Sequence, residues 1–416
     1  MSQLSQLAET LIGSEIVRLG NEISARIRNG EKIYNYTIGD FNPEIFPIPV
    51  GLEAAVVKAY KEHYTNYPPA DGLLELRNAV SHFVKDTQGL DYAANEIQIA
   101  SGGRPLIYSL FRTVVDKGDK VIYAVPSWNN NHYTHMNGGV HCVIPALPEN
   151  NFMPAAKDIA PHIKDAALIC LCTPQNPTGT TLDKKELEAI CDLILEENAR
   201  RGQKKLYLMF DQMYCMLTYG NTHHYDPVSL RPEMKAYTIY IDGISKVFAA
   251  TGVRVGWGLG PAHVLAKMRA LLTHIGAWSP MPEQHATAEF FAQKQEITTY
   301  LASFKKELEE RLWRIYDGLT VLKQKGYAVD SIAPQAAIYL TIKFDLKDKR
   351  AGSKTLDTQS DVTDYLLNEA KLAVVQFYAF GADKTSPWYR LSVGTCKKEE
   401  IDEMLAKLEA ALQKLS

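Results

Sequence analysis

Lys246 lies in the segment Asp242-Gly-Ile-Ser245-Lys246-Val-Phe-Ala-Ala-Thr-Gly252-Val-Arg254-Val-Gly256-Trp257, directly after a β-rich run. A lysine amine condenses with a carbonyl to give a Schiff base. A serine beside it and an arginine eight positions on can clamp a phosphate. A surface lysine in a glycine-rich loop would leave the same local trace, so Ser-Lys alone decides nothing.

Other segments carry comparable hints. Ser101-Gly102-Gly103-Arg104 joins the run EIQIA to a helix, a junction that offers free backbone N–H groups and the positive helix end to a phosphate. Asp211 ends the run KLYLMF, with Tyr214 three residues on. A carboxylate there can serve as a helix cap or a salt-bridge member, and the tyrosine as core. Asn176-Pro177-Thr178-Gly179 is by composition a turn. Trp128 follows KVIYAVP and, if packed in a core, needs a partner for its N–H.

In order and spacing these segments resemble the motifs of class I/II aminotransferases, which are fold-type I pyridoxal-phosphate enzymes, and they are most similar to aspartate-type members. The resemblance covers nearly the whole chain. It implies pyridoxal 5′-phosphate held covalently on Lys246, which is also the catalytic acid and base. It implies that Asp211 meets the ring nitrogen, while Asn176 and Tyr214 meet the phenolic oxygen and Trp128 stacks on the ring. Gly102, Gly103, Arg104, Ser245 and Arg254 would then hold the phosphate. Tyr67, in Tyr-Pro-Pro-Ala-Asp-Gly72, matches a tyrosine that reaches across a homodimer to the partner's phosphate, so the active sites would be shared. Gly72 and Arg77 belong to the same segment as structural residues. Arg390, in Trp-Tyr-Arg-Leu-Ser, matches the arginine that binds the substrate α-carboxylate, a task for a planar bidentate donor. Gly39 would close over the same carboxylate with its backbone, and Asn176 would also face substrate.

The implied reaction moves an amino group from an amino acid to a 2-oxo acid. Arg104 stands where a group of bacterial aspartate aminotransferases carries a lysine for a distal carboxylate. With Trp128 it favours aspartate or glutamate, with 2-oxoglutarate as acceptor. Aromatic or other neutral amino acids, or β-lyase chemistry on the same lysine, are the alternatives. A regulator built on this fold would carry a DNA-binding module ahead of it, and the residues before Ile33 are too few and lack a basic cluster. Pro105 departs from the family pattern and suits only the first turn of a helix. The Asn129-Asn-Asn-His132 run is distinctive, and His132, His135, His223 and His224 read as loop or surface residues.

These residues need a scaffold. From residue 72 to about 260 short apolar runs alternate with helical periodicity: EIQIAS, KVIYAVP, HCVIPAL, AALICLCTP, KLYLMFD, YTIYIDGIS and VGWGLG. That pattern predicts an α/β fold with a mostly parallel seven-stranded sheet sandwiched by helices, its ligands beyond the strands' carboxyl ends. Helices are expected over 16–27, 51–63, 73–86, 104–117 and 184–200, the last with Asp183 and Glu186 at capping-box spacing. A strand is expected over 33–38 and a long helix over 283–316. Beyond it, strands around 336–343 and 388–393 with helices near 360–371 and 397–414 predict a smaller α+β domain. The expected division is 1–50 as N-terminal arm and first part of the small domain, 51–283 as the large cofactor domain, and 284–416 as the rest of the small domain.

Composition excludes several classes. The 416 residues are 46% hydrophobic and 22% charged, with a net charge of −3, which provides no field for nucleic acid. No apolar run approaches a membrane span and no secretory leader stands at the N-terminus, so a cytoplasmic protein is expected. The six cysteines are scattered, several in strand-like runs where a thiol acts as a small hydrophobe, and no metal site is expected.

Overall fold

The seven apolar runs become strands in the computed structural model, which describes residues 3–416. They are β1 (Ile97–Ala100), β2 (Lys120–Val125), β3 (Val140–Pro145), β4 (Ala166–Cys172), β5 (Tyr207–Asp211), β6 (Thr238–Gly243) and β7 (Gly256–Leu259). They form one sheet in the order β1-β7-β6-β5-β4-β2-β3, parallel except that β7 runs antiparallel to both neighbours. The continuous hydrophobicity of β4 follows from its central place. Ile169 and Leu171 point into one core while Leu168 and Cys170 point into the other, so both faces must be apolar.

Helices Leu74–Gln88, Gly103–Val114 and Lys184–Arg200 lie close to expectation. Asp183 caps the third through Lys185 N at 2.8 Å. Glu186 does not close a capping box; its Oε2 accepts from Ala156 N instead, at 2.8 Å. The expected helix over 283–316 is two helices, Met281–Phe291 and Lys294–Gln324. The first is locked into the large core by Phe291 stacked on Phe83 at 4.3 Å and by Phe290 against Phe248, so the chain must turn before continuing. Several helices escaped the sequence pattern, among them Asn130–Met136 and Ala262–Ile275. The former is too short for a periodic signal, and the latter buries only Val264, Leu265, Met268 and Leu272.

The smaller lobe holds a second sheet of β8 (Val329–Ser331), β9 (Tyr339–Phe344), β10 (Val375–Gln376) and β11 (Trp388–Ser392). Its order is β10-β11-β9-β8, antiparallel throughout. The expected strand over 33–38 is reduced to Tyr34–Asn35, paired with Leu372–Ala373, because the rest of the segment serves packing: Tyr34, Tyr36, Phe41 and Phe46 join the small-lobe core. Helix Glu15–Arg28 packs Ile23 against Leu367 and Ala373 of the same lobe. Helix Lys294–Gln324 runs from one core to the other, with Ile297 in the large core and Phe304, Leu308 and Leu312 in the small one.

Among the described residues no helix is long and apolar enough to cross a membrane. All six cysteines are free thiols.

Candidate active site

β5 and β6 end side by side, which brings Asp211 and the short helix Ile244–Val247 carrying Lys246 to one edge of the sheet. A cavity of about 610 Å³ opens there, between the strand ends and the small lobe. Every residue assigned a cofactor or substrate role in the sequence lines it except Gly102 and Tyr67.

Lys246 is buried, and its Nζ donates to Gly39 O at 2.7 Å. Burial lowers its pKa to about 8. Arg390, Arg104 and Arg254 act in the same direction, and Asp40 opposes them. The amine is therefore available in its neutral, nucleophilic form near neutral pH. Asp211 has the reverse problem. Burial raises its carboxyl to about 6, and the Met213 amide, at 3.2 Å from Oδ1, only partly offsets this. No cation pairs with Asp211 among the described residues, so a buried carboxylate faces the cavity with one backbone donor.

Three arginines frame the cavity. Arg390 on β11 is 2% exposed; Nη2 donates to Thr37 O at 2.6 Å and Nη1 to Asn176 Oδ1 at 3.0 Å, while Nε has no partner. Arg254 donates to Thr251 O and Ser101 O, each at 2.7 Å. Burial depresses both guanidinium pKa values; the Arg104 charge adds to this at Arg254, and Asp40 only partly opposes it. Arg104 lies over the Trp128 ring, 4.8 Å from its centroid. A cavity with three arginines and a lysine against Asp40 and Asp211 favours anionic ligands.

Gly102 lies behind the wall and explains its glycine. Its φ is +83°, and a Cβ there would strike the Arg254 guanidinium. Gly103 then opens helix Gly103–Val114 with its N-terminus toward the cavity, and Pro105 sits in the first turn, where no intrahelical N–H is required. Ser245 is buried on the cavity wall. Tyr67 lies apart, 83% exposed and edge-to-face with Trp278 at 5.4 Å. Gly72 (φ +89°) would clash with Ile99 if it carried a Cβ. Arg77 bonds Ala94 O at 2.9 Å and pairs with Asp71 at 3.2 Å, a structural bracket.

The sequence reading gave no site role to Asp40, Cys172, Thr251 or Tyr339, which also line the cavity. Asp40 and Thr251 flank matched motifs, and Oγ1 of Thr251 donates to Asp40 Oδ1 at 2.6 Å. Tyr339 comes from the small lobe, where no motif marks it. Asn129 and Asn130 reach the wall as well, Asn129 in the left-handed conformation at φ +60°. His224 is not a surface residue: its Nε2 lies 3.3 Å from Gln212 Oε1, and burial lowers its pKa to about 4.

A buried, weakly basic lysine at the carboxyl edge of an α/β sheet, among unpaired arginines, defines an enzyme of amine and carboxylate chemistry. The chain belongs to the aminotransferase class I and II family, whose pattern it matches over residues 33–408. It is 30% identical over 366 residues to an aspartate aminotransferase of Bacillus sp. (strain YM-2), covering 88% of each chain. The fold superposes on the aspartate aminotransferase of Rhizobium meliloti with a TM-score of 0.91, at 25% identity over 100% of both chains. For the Thermus thermophilus aspartate aminotransferase solved with maleate the TM-score is 0.88, at 25% identity over 99% of this chain and 100% of that one. The protein is an aminotransferase, an enzyme whose substrates are small molecules, an amino acid and a 2-oxo acid.

Proposed function

We propose that this aminotransferase uses pyridoxal 5′-phosphate and transfers the amino group of aspartate or glutamate to a 2-oxo acid such as 2-oxoglutarate. The observation that carries the cofactor reading is the complementary pair at the strand ends: a buried Asp211 without a cation, and a buried Lys246 with lowered basicity.

The residues present fit this group. Lys246 would hold it covalently, and Asp211 would sit at its ring nitrogen. Asn176 and Tyr214 would meet its phenolic oxygen, and Trp128 its ring face. Arg254, Ser245 and the first amides of helix Gly103–Val114 would meet the phosphate. When bound, the cofactor supplies an electron-withdrawing ring that acidifies the substrate's α-carbon.

The chain's own residues do the rest. Asp211 would keep the ring nitrogen protonated. Nζ of Lys246, once free, would serve as the base for the substrate's α-proton and as the acid that gives a proton back, for which a pKa of about 8 suits it. Arg390 already has one Nη on Thr37 and the other on Asn176, which fixes the guanidinium plane for a substrate α-carboxylate. Gly39 lies close enough to Tyr339 and Arg390 that any side chain there would intrude on the same space.

Arg104 supports the acidic substrate. It faces the cavity from the Trp128 ring and has no carboxylate partner among the described residues, a bidentate donor for a distal carboxylate. Tyr67, exposed and aromatic, supports a homodimer in which it completes the partner's phosphate site. Purified protein loaded with the cofactor should show a visible band near ~420 nm that disappears on adding glutamate, and sedimentation should give the mass of two chains. Adding 2-oxoglutarate to an aspartate reaction should then yield glutamate. If no glutamate forms, and an alanine bearing a β-leaving group instead loses that group and is hydrolysed to pyruvate and ammonia, the protein is a lyase and the transfer reading is overturned.

A further inference from the structure

Tyr339 lies on β9 in a place that the reaction outlined above does not use. Its Oη is 2.7 Å from Tyr214 Oη, with either hydroxyl able to donate, and the two rings meet edge-to-face at 5.6 Å. The Arg390 guanidinium covers its ring, 4.8 Å from the centroid. A Cβ on Gly39 would come within 2.8 Å of its Oη, so the absence of a side chain there leaves the hydroxyl its room. The backbone holds β9 in position against the Asn176-to-Gly179 turn. Oγ1 of Thr341 donates to Thr178 O at 2.7 Å, and Ala336 N donates to Gly179 O at 2.9 Å. Gly179, at φ +71°, packs directly on the Tyr339 carbonyl.

Two hydroxyls joined by one hydrogen bond have two hydrogens, one within the bond and one free. The direction of the bond decides which tyrosine keeps the free one. Burial raises both phenols, Tyr214 well above its ordinary value, and the Arg390 charge acts on Tyr339 as the first opposing influence. Tyr214 has a single hydroxyl hydrogen, so if that hydrogen is given to a group in the cavity, the 2.7 Å bond between the two hydroxyls must be donated by Tyr339. The hydrogen of Tyr214 is then left to point into the cavity. The remaining charged or titratable groups around the pair are Lys246, Asp40 and Cys172.

We propose that Tyr339 is a positioning residue: it donates to Tyr214 and thereby directs the Tyr214 hydroxyl hydrogen at the phenolic oxygen of the bound cofactor. The inference rests on the pyridoxal reading above. Chains of hydrogen bonds strengthen one another, so a Tyr214 that accepts from Tyr339 is a stronger donor than one that does not. A stronger donor at the phenolic oxygen weakens the hold of the lysine–cofactor linkage on its proton.

The test is a pH titration of the visible absorption band in the loaded wild type, Tyr339→Phe, Tyr214→Phe and the double variant. Phenylalanine keeps the ring under Arg390, so KM for the amino acid should stay in place. The titration midpoint should rise by roughly half a pH unit in Tyr339→Phe. In the double variant it should rise no further than in Tyr214→Phe alone. A midpoint unmoved by Tyr339→Phe, or shifts that add in the double variant, would overturn the proposal. A wild type that forms no visible band would defeat the cofactor reading itself, and this inference with it.

Discussion

Arg390 and Asn176 meet across 214 positions of sequence, Nη1 donating to Oδ1 at 3.0 Å. One residue comes from a small-lobe strand and the other from the turn that follows β4 in the large lobe. Their bond holds the buried guanidinium at the lobe junction, with Thr37 O as its second anchor. Nε is left without a partner, as a group waiting for an anion would be. If Arg390 binds the substrate carboxylate as proposed, substrate binding and lobe geometry are tied to a single side chain.

Replacing that side chain with lysine tests the planar fork. Arg390→Lys keeps the charge but cannot span Thr37, Asn176 and a carboxylate together. KM for the amino acid should rise roughly ten- to hundredfold, the loss of one or two charge-assisted hydrogen bonds. Steady-state kinetics on aspartate would measure it, and an unchanged KM would remove Arg390 from the substrate site.

Lys246 makes a pH prediction in the cofactor-free protein. Its folded pKa, about 8, lies below the ordinary 10.5. Between those values the unfolded chain binds more protons than the folded one, so stability should rise with pH across that window. Below about 8 both states are protonated and the contribution is flat. The Tm difference between wild type and Lys246→Met, followed from pH 7 to 10.5, should show this slope. A difference independent of pH would mean that the amine is solvated. The same variant should have no transaminase turnover.

Arg104→Ala separates substrate classes. Efficiency on aspartate should fall about tenfold or more, while that on an aliphatic donor such as alanine changes little. Equal losses on both would return Arg104 to a purely cofactor or packing role.

Much of this was readable beforehand for a physical reason. A strand buried on both faces must be apolar throughout, so the inner strands of the large sheet stood out as runs, and the carboxyl ends of two of them led to Asp211 and Lys246; the exposed edge strand Val140–Pro145 was legible from its β-rich composition alone. Motifs whose members are neighbours in sequence, such as Ser245 with Lys246 and Gly102 with Gly103, were equally plain. The second sheet was harder. β8 and β10 are three and two residues long, below any periodic signal, and their pairing partners lie far along the chain. The break between Met281–Phe291 and Lys294–Gln324 depends on Phe291 finding Phe83, a contact between distant residues.

What the amino-acid order determined by itself was therefore local: the strand ends, the helix starts and the chemical types placed on them. Only the tertiary structure decided that Asp211 would lack a cation, that Arg390 would be held by Asn176, and that Tyr339 would join Tyr214. Those relations arise where two lobes close on one cavity. Burial there sets the charge of each group, and burial is a property of the packed chain, not of any segment.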